Sequence, residues 1–354
     1  MFETVLYIIF FFVTIIIGFF VNKFFLNKSK KYTLIKANIS GVRWNTQAKP
    51  IFGGIAFYSV FLFTIIIYFF FFGYDLINND KFIGLFLIIT LSFFMGLADD
   101  LINTSHYFKF IVQILCGVIL IYFGTYINLF SNNYLNYILT ILWVVGIMNS
   151  INMLDNMDGI SSLISISIII GIILNIIISE YSNSSFYLFI CIGTLASLLS
   201  FLFFNWHPSK MYMGDNGSQF LGSILAAFGI IFYWNFDSSQ VDFSNSKAIL
   251  TVALAFIIPI SDTTTVTINR LLKKKSPFIG GKDHTTHHLS YFGLSDKKVG
   301  IILFVISLIS ISLSVILRNF ITEMSFIKIL FFGSFPVIIL VSLYLITKIS
   351  KPDK

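Results

Sequence analysis

Charged residues are scarce in this chain of 354 residues. They make up 11% of the sequence, whereas a soluble domain carries about 25%. Apolar residues make up 57% instead, in runs of about 20 that match helices crossing a hydrocarbon layer roughly 30 Å thick. The scarcity of charge excludes a soluble globular domain, and the lack of alternating polar residues within the runs argues against a β-barrel.

Cysteine is nearly absent as well. Cys116 and Cys191 are the only two, and both lie inside apolar runs. A disulfide framework is therefore excluded, and we expect both to be packing residues. The first run, at 4–26, lacks a basic leader and a small-residue cleavage motif, so we interpret it as a retained span.

The apolar runs predict an all-α integral membrane protein that forms a single domain over residues 1–354. We expect about eleven transmembrane helices, with boundaries that are uncertain by a few residues. The predicted spans are 4–26, 51–72, 82–98, 108–127, 135–151, 159–179, 186–204, 218–235, 246–269, 298–317 and 326–348.

Basic residues predict the orientation of these spans. If the N-terminus is outside, most of the 23 Lys and Arg residues fall on one side, chiefly in the loops at 27–50 and 270–297. Because basic loops stay in the cytoplasm, we expect those loops inside. The net charge of +7 then reflects topology and contact with anionic lipid, and no nucleic-acid partner is expected.

The chain has sixteen acidic residues, and some of them are clustered. Five lie in three polar runs at predicted cytoplasmic span ends: GLADD with Asp99 and Asp100, NMLDNMDG with Asp155 and Asp158, and MGDNGS with Asp215. Carboxylates beside bilayer-length apolar segments are costly and usually functional. Because Mg²⁺ prefers carboxylate oxygens, the runs favour a magnesium site that handles phosphates.

The spacing within the runs adds detail. Asn152, Asp155 and Asp158 are three residues apart, which predicts that they lie on one side of a helical turn. The adjacent acids of the first run cannot share a helix face, so we expect them to have different roles. Plainer alternatives are solvated acids in the first run, a helix cap at Asp158 and a turn with an N-cap at Asp215.

Two later segments add positive charge. The ninth span carries Asp262 and Arg270, and an acid inside an apolar run indicates that this segment borders a wet cleft. The run GGKDHTTHH at 280–288 holds three of the five histidines and suits a diphosphate better than zinc, because no cysteine is nearby. A solvated basic loop is the alternative. The polar groups of this run are Lys282, His284, His287 and His288.

Taken in order, these runs resemble the polyprenyl-phosphate N-acetylhexosamine-1-phosphate transferases (glycosyltransferase family 4). The motifs are KPIFGG at 49–54, GLADD at 96–100, NMLDNMDG at 152–159, MGDNGS at 213–218, PISDTTTVTINR at 259–270 and the histidine loop at 284–288. The resemblance implies a bacterial inner-membrane enzyme that primes cell-surface polysaccharide synthesis. It would transfer an N-acetylhexosamine-1-phosphate, with GlcNAc preferred, from a UDP-sugar to undecaprenyl phosphate and release UMP.

The resemblance also implies a site at the cytoplasmic ends of the helices, with Mg²⁺ as cofactor and Mn²⁺ as the alternative. Asp99 would be the base that deprotonates the lipid phosphate. The other implied catalytic residues are Asp100, Asp158 and His284. The implied metal ligands are Asp215 and Asn152. The implied substrate-binding residues are Lys49, Asn152, Asp155, Arg270, Lys282, His287 and His288. The implied partners are the UDP-N-acetylhexosamine donor, undecaprenyl phosphate and the lipid bilayer, and a homodimer is an allowed state.

Two other functions stay open. Three adjacent histidines are typical of the branch that acts on UDP-MurNAc-pentapeptide, whereas Thr285 and Thr286 interrupt the run here, which favours the UDP-GlcNAc branch. A secondary transporter also uses intramembrane acids and broken helices, but its site usually lies at the bilayer midplane. The sequence leaves undetermined the sugar, the glycan pathway, the oligomeric state and which Asp is the general base.

Overall fold

The computed structural model of the protein describes residues 2–29, 35–36, 49–73, 79–179, 184–235, 245–276 and 280–350. Most of them lie in thirteen α-helices. The helices α1–α13 run over Phe2–Ser29, Gly53–Phe72, Asp80–Ile102, His106–Tyr122, Asn133–Leu154, Ile160–Ser179, Ser184–Asn205, Gly214–Gly229, Asn245–Ala255, Ile257–Leu272, Thr285–Tyr291, Asp296–Phe320 and Phe326–Ile349. Two short strands, β1 (Ile35–Lys36) and β2 (Lys49–Pro50), pair antiparallel.

The predicted all-α, multi-span membrane architecture is confirmed, because each predicted span contains a helix. The count of eleven is not confirmed. Among the described residues, nine helices are long and apolar enough to cross a bilayer, or ten if α9 and α10 together form one span. Helix α4 has only 17 residues, fewer than the roughly 20 that a full crossing needs.

The ninth predicted span is broken into two helices. Helix α9 ends at Ala255, α10 begins at Ile257, and the two are bent by 83°. Pro259 explains the position of the break, because it has no N–H and its ring would clash with the carbonyl group four residues earlier, at Ala255. The helix therefore ends at Ala255 and restarts, with Pro259 in the first turn of α10.

Helix α8 lies at the centre of the molecule. It is buried along its length, and so is most of the π-helical turn that continues it over Ile230–Trp234. Helices α2, α3, α5 and α6 pack around it, while α1 and α13 are mostly exposed, as expected of helices that face lipid. Because α8 begins at Gly214, the MGDNGS motif lies at one end of the bundle, at the centre of its cross-section.

Some predictions fall outside the described residues. Most of the basic loop at 27–50 lies outside the described residues. The orientation of the bundle across the membrane stays a prediction. The expectation for the cysteines agrees with the structure, since Cys116 and Cys191 are both buried and free.

Candidate active site

A cavity of about 660 Å³ lies at one end of the bundle, where α4 and α8 begin and α5 and α10 end. Its volume is within the range of about 300–1,000 Å³ that is typical of small-molecule sites. The predicted site residues that line it are Asn152, Asp155, Asp158, Asp215, Arg270 and His284. The predicted residues that do not line it are Lys49, Asp99, Asp100, Lys282, His287 and His288.

Asp99 and Asp215 are joined by the ammonium group of Lys109. The Lys109 Nζ atom lies 2.6 Å from Asp99 Oδ2 and 2.5 Å from Asp215 Oδ2. The Thr104 hydroxyl donates a hydrogen bond of 2.7 Å to the other oxygen of Asp99. The two carboxylates therefore share one cation, and the end of α3 and the starts of α4 and α8 meet in a single charged centre.

Asp100 has a different environment from its neighbour Asp99. Its Oδ2 atom accepts a hydrogen bond of 3.0 Å from the backbone N–H of Asn216, in the first turn of α8. A carboxylate stabilises a helix N-terminus, where backbone N–H groups lack intrahelical partners. Gly214, at the start of the helix, has a φ of 78°, which favours glycine. Asp100 thus holds the turn that carries Asp215, and its catalytic role stays a prediction.

The approach of α3 to α8 depends on Gly96. A Cβ atom at this position would collide with the carbonyl oxygen of Asp215 and would lie 2.6 Å from the Cα atom of Asn216. These are backbone atoms, which cannot move aside as the end of a flexible side chain can. The absence of a side chain at Gly96 is therefore what allows the charged centre to form.

Asn152, Asp155 and Asp158 all line the cavity, as their spacing predicts for residues on one side of a turn. The Oδ1 atom of Asn152 accepts a hydrogen bond of 3.0 Å from the Ser218 hydroxyl, which ties the end of α5 to α8. Asp158 accepts hydrogen bonds from the backbone N–H and the hydroxyl of Ser209, at 2.9 and 2.7 Å. These contacts fix both side chains before any substrate binds.

Lys49 reaches the site through Asp158. It is buried, donates a hydrogen bond of 3.0 Å to the Ser209 hydroxyl and lies 3.9 Å from Asp158 Oδ2. His207 lies on the other side of the same carboxylate, with 3.4 Å between its Nδ1 atom and Asp158 Oδ2, and 3.8 Å to Asp296 Oδ2. Asp158 is therefore surrounded by cationic or hydrogen-bonding groups of the chain itself.

The histidine loop is not uniformly cationic. His287 is buried, and burial together with the neighbouring His284 lowers its pKa to about 3, so its ring is neutral near neutral pH. His288 lies 2.8 Å from the Ser350 hydroxyl, and burial together with the charge of Lys273 lowers its pKa. Among the three histidines only His284 lines the cavity.

Helix α10 anchors this loop. Arg270 donates to both oxygens of Asp283, at 2.8 and 2.7 Å. Burial raises the pKa of Asp283, but the hydrogen bonds and charge of Arg270 outweigh burial and hold that pKa below its usual value. The expectation that the segment borders a wet cleft holds for Arg270 and Thr263, which line the cavity. Asp262 itself is fully buried and faces His284.

Several cavity residues were not singled out from the sequence. Lys109 is the one charged residue in the apolar stretch 106–127. Gln113 and Asn149 exchange amide hydrogen bonds at 3.2 and 2.7 Å on the cavity wall. A lone charge or amide inside an apolar span is the available signal, because such groups are costly in lipid.

The oxygen atoms near Asp215 fit a hard divalent cation. Mg²⁺ is often held by one or two carboxylates and by substrate phosphates, with water completing the shell. Asp215 provides a carboxylate, and the side-chain carbonyl group of Asn152, which accepts a hydrogen bond from Ser218, lines the same cavity. Within the described part of the chain, no three His, Cys, Asp or Glu side chains form a ready metal site. Further ligands would therefore come from substrate and water.

The fold and the cavity define a multi-span α-helical membrane protein with a charged site at one end of its bundle. The sequence model described as "Glycosyl transferase family 4" matches residues 82–233, from α3 to the π-helical turn after α8. The matched region includes the charged centre and the Asn152–Asp158 turn, but it ends before α10 and the histidine loop.

Three similar proteins illustrate the range of relatives. A probable undecaprenyl-phosphate N-acetylglucosaminyl 1-phosphate transferase of Bacillus subtilis (strain 168) is 30% identical, over 67% of this chain and 65% of the relative. A phospho-N-acetylmuramoyl-pentapeptide-transferase of Staphylococcus haemolyticus is 29% identical, over 74% of this chain and 82% of the relative. A decaprenyl-phosphate N-acetylglucosaminephosphotransferase of Mycobacterium leprae is 32% identical, over 30% and 28%. The chain thus spans less than two thirds of the length of the first of these.

Proposed function

We propose that this protein transfers GlcNAc-1-phosphate from UDP-GlcNAc to undecaprenyl phosphate, giving the undecaprenyl-diphosphate-linked sugar and UMP. The observation that carries the proposal is the Asp99–Lys109–Asp215 centre beside a cavity that also presents Arg270 and His284. Acids that can hold a metal and cations that can hold phosphate are therefore next to each other.

The location of the cavity suits the two substrates. It lies at the ends of apolar helices, where a soluble nucleotide sugar can enter from water while an isoprenoid tail stays in the hydrocarbon layer. A transporter would need access to both sides of the membrane at one site. The charged residues that line the cavity lie instead at one end of the bundle, which supports an enzyme.

The transfer joins two anions, so the site must neutralise charge. An oxygen of the lipid phosphate forms a bond to the sugar-bearing phosphorus, and the bond from that phosphorus to the UMP oxygen breaks, with its electron pair leaving on UMP. Asp99 removes the proton of the lipid phosphate, while Lys109, Arg270 and His284 compensate the phosphate charges. Asp215 and Asn152 would hold Mg²⁺, or Mn²⁺, which when bound would add further positive charge at the diphosphate.

The remaining roles follow from the same geometry. Asp155 and Asp158 line the cavity and would orient the donor, with Lys49 supporting Asp158 through Ser209. In the bacterial inner membrane, with the N-terminus outside, the cavity would face the cytoplasm and its UDP-sugars. The reaction would prime cell-surface polysaccharide synthesis, and the chain could act as a monomer or a homodimer.

The test is acceptor-dependent release of UMP by the purified full-length protein in lipid nanodiscs. UMP should appear only when UDP-GlcNAc and undecaprenyl phosphate are both present. Asp215→Asn keeps the shape of the side chain and should lower turnover by about 10²–10³-fold. Asp80→Asn is the matched control, because Asp80 begins α3 at the opposite end of the bundle. UMP release without the lipid phosphate, or none with it, would contradict the proposal.

A donor panel distinguishes the second candidate, transfer of phospho-MurNAc-pentapeptide. The long match to the Staphylococcus haemolyticus relative favours including it. The panel compares UDP-GlcNAc, UDP-GalNAc and UDP-MurNAc-pentapeptide at a fixed amount of undecaprenyl phosphate. Higher kcat/KM for the pentapeptide donor would replace the proposed sugar while leaving the reaction type unchanged.

A further inference from the structure

Asp262 is the only charged residue in the apolar stretch 248–269, and it is completely buried on α10. A buried carboxylate is costly unless donors satisfy it. The donors here come from the histidine loop, whose residues His284 and Thr285 bring three groups to this one side chain. The contact joins α10 to the start of α11.

The two oxygens of Asp262 have different partners. Oδ1 accepts from the backbone N–H and the hydroxyl of Thr285, at 2.8 and 2.6 Å. Oδ2 lies 2.9 Å from Nδ1 of His284. An ionised carboxylate can only accept, so we assign the proton to Nδ1, which leaves Nε2 as the nitrogen for chemistry. Because His284 lines the cavity, that nitrogen belongs to a ring at the proposed donor site.

His287 holds the same ring from the other side. The two imidazoles pack edge to face, with centroids 5.4 Å apart and planes at 72°. The Nδ1 atom of His287 also accepts from the backbone N–H of His284, at 3.4 Å. His284 is thus fixed by Asp262 and by its neighbour in α11, with little freedom to rotate.

We propose that Asp262 is a positioning residue that acts on the transfer reaction through His284. It fixes the Nδ1–H form of the ring and balances the positive charge when the ring is protonated. The Nε2–H group then donates a hydrogen bond to the diphosphate oxygen that leaves with UMP. No proton is transferred in this step, and the bonds made and broken are those of the transfer itself. The inference rests on the proposed function, because it assigns His284 to that donor.

The competing explanation is that Asp262 only caps the short helix α11. In that case its value would come from the two bonds that it accepts from Thr285, and Thr285→Val, which removes the hydroxyl bond but keeps the backbone N–H, would lower kcat by more than threefold. In the positioning explanation, Thr285→Val leaves the contact between Asp262 and His284 in place and changes kcat less than threefold. Thr285→Val is therefore the matched control.

The experiment is a double-mutant cycle on the full-length protein in nanodiscs, with kcat and donor KM measured for each variant. Asp262→Asn should lower kcat by about 10²-fold, within the range for loss of an acid–base or hydrogen-bonding catalytic group. Donor KM should change less than threefold, because the other cavity residues still bind the nucleotide sugar. In a His284→Ala background, Asp262→Asn should have no further effect on kcat.

The outcomes distinguish a failure of the positioning role of Asp262 from a failure of the proposed function. Losses that multiply in the double variant, or a Thr285→Val variant that loses more than threefold in kcat, would overturn the positioning role while an active wild type preserved the proposed function. A wild type without acceptor-dependent UMP release would remove both. If thermal unfolding shows that Asp262→Asn does not fold, Asp262→Ser is measured in its place with the same expectations. If Asp262→Ser also fails to fold, that result supports the purely structural explanation.

Discussion

Gly96→Ala is a minimal perturbation of the charged centre, since it adds one methyl group at the contact between α3 and α8. The new Cβ would collide with the carbonyl oxygen of Asp215 and lie 2.6 Å from both N and Cα of Asn216. Neither helix can relieve this by rotating a side chain, so the backbones must separate. Asp215 would move with them, away from the partners that fix it.

The expected magnitudes follow from two opposing effects. Replacing glycine by alanine inside a helix stabilises by about 0.5–1 kcal/mol, whereas overpacking a tight contact costs about 1–3 kcal/mol. Gly333→Ala provides the comparison, because its Cβ would meet only Leu250 at an ordinary 3.5 Å. The two variants share the propensity gain, so their stabilities should differ by the overpacking cost alone, about 1–3 kcal/mol.

Activity should respond more strongly than stability. A displacement of about 1 Å in a catalytic group can lower the rate by about 10²-fold. We therefore expect Gly96→Ala to lose about 10²-fold in UMP release, while Gly333→Ala keeps wild-type turnover. Thermal unfolding in detergent measures the stability difference. If Gly96→Ala matched Gly333→Ala in both unfolding and turnover, the tight contact would not position Asp215.

Three further predictions follow from other contacts. Lys109→Met should lower transfer by at least about 10²-fold because two carboxylates lose their shared cation, and Lys109→Arg should retain part of the activity; equal activity of both variants and wild type would refute this. Because burial lowers the pKa of His287 to about 3, protonation opposes folding, so thermal stability should fall as pH decreases below about 6.5. His287→Gln should flatten that dependence, and an unchanged slope would contradict it. In intact cells an impermeant thiol reagent should label Glu323→Cys and spare Lys275→Cys, both at exposed positions at opposite ends of the bundle, and the reverse pattern would invert the topology.

The sequence is sufficient to predict the spans because the bilayer constrains them so strongly. A segment in hydrocarbon must be apolar and must satisfy its own backbone, so each long apolar run becomes a helix. The number of crossings is less predictable. Helix α4 is short, and Pro259 breaks the ninth span at Ala255, so length and packing decide what hydropathy alone cannot.

The site was predictable as a set of motifs but not as a set of contacts. Spacing by three brought Asn152, Asp155 and Asp158 to one cavity, because it depends only on local helical geometry. Polarity alone did not separate His284, which lines the cavity, from His287, which is buried and neutral. That difference arises from how the loop packs against α10, which no local pattern records.

Isolated charges inside apolar spans were the most informative signal that the sequence offered. Lys109 and Asp262 each stand alone in a span, and in each case the structure supplies a partner far along the chain: Asp215 for Lys109 and His284 for Asp262. The cost of an unpaired charge in a low-dielectric interior requires such a partner. The sequence shows that a partner is needed, but only the folded arrangement of the helices, which brings Lys109 to the start of α8 and packs α10 against α11, selects the partner. For a similar membrane protein without a structure, lone charges within spans are therefore the residues to mutate first, before the more conspicuous charges of the loops.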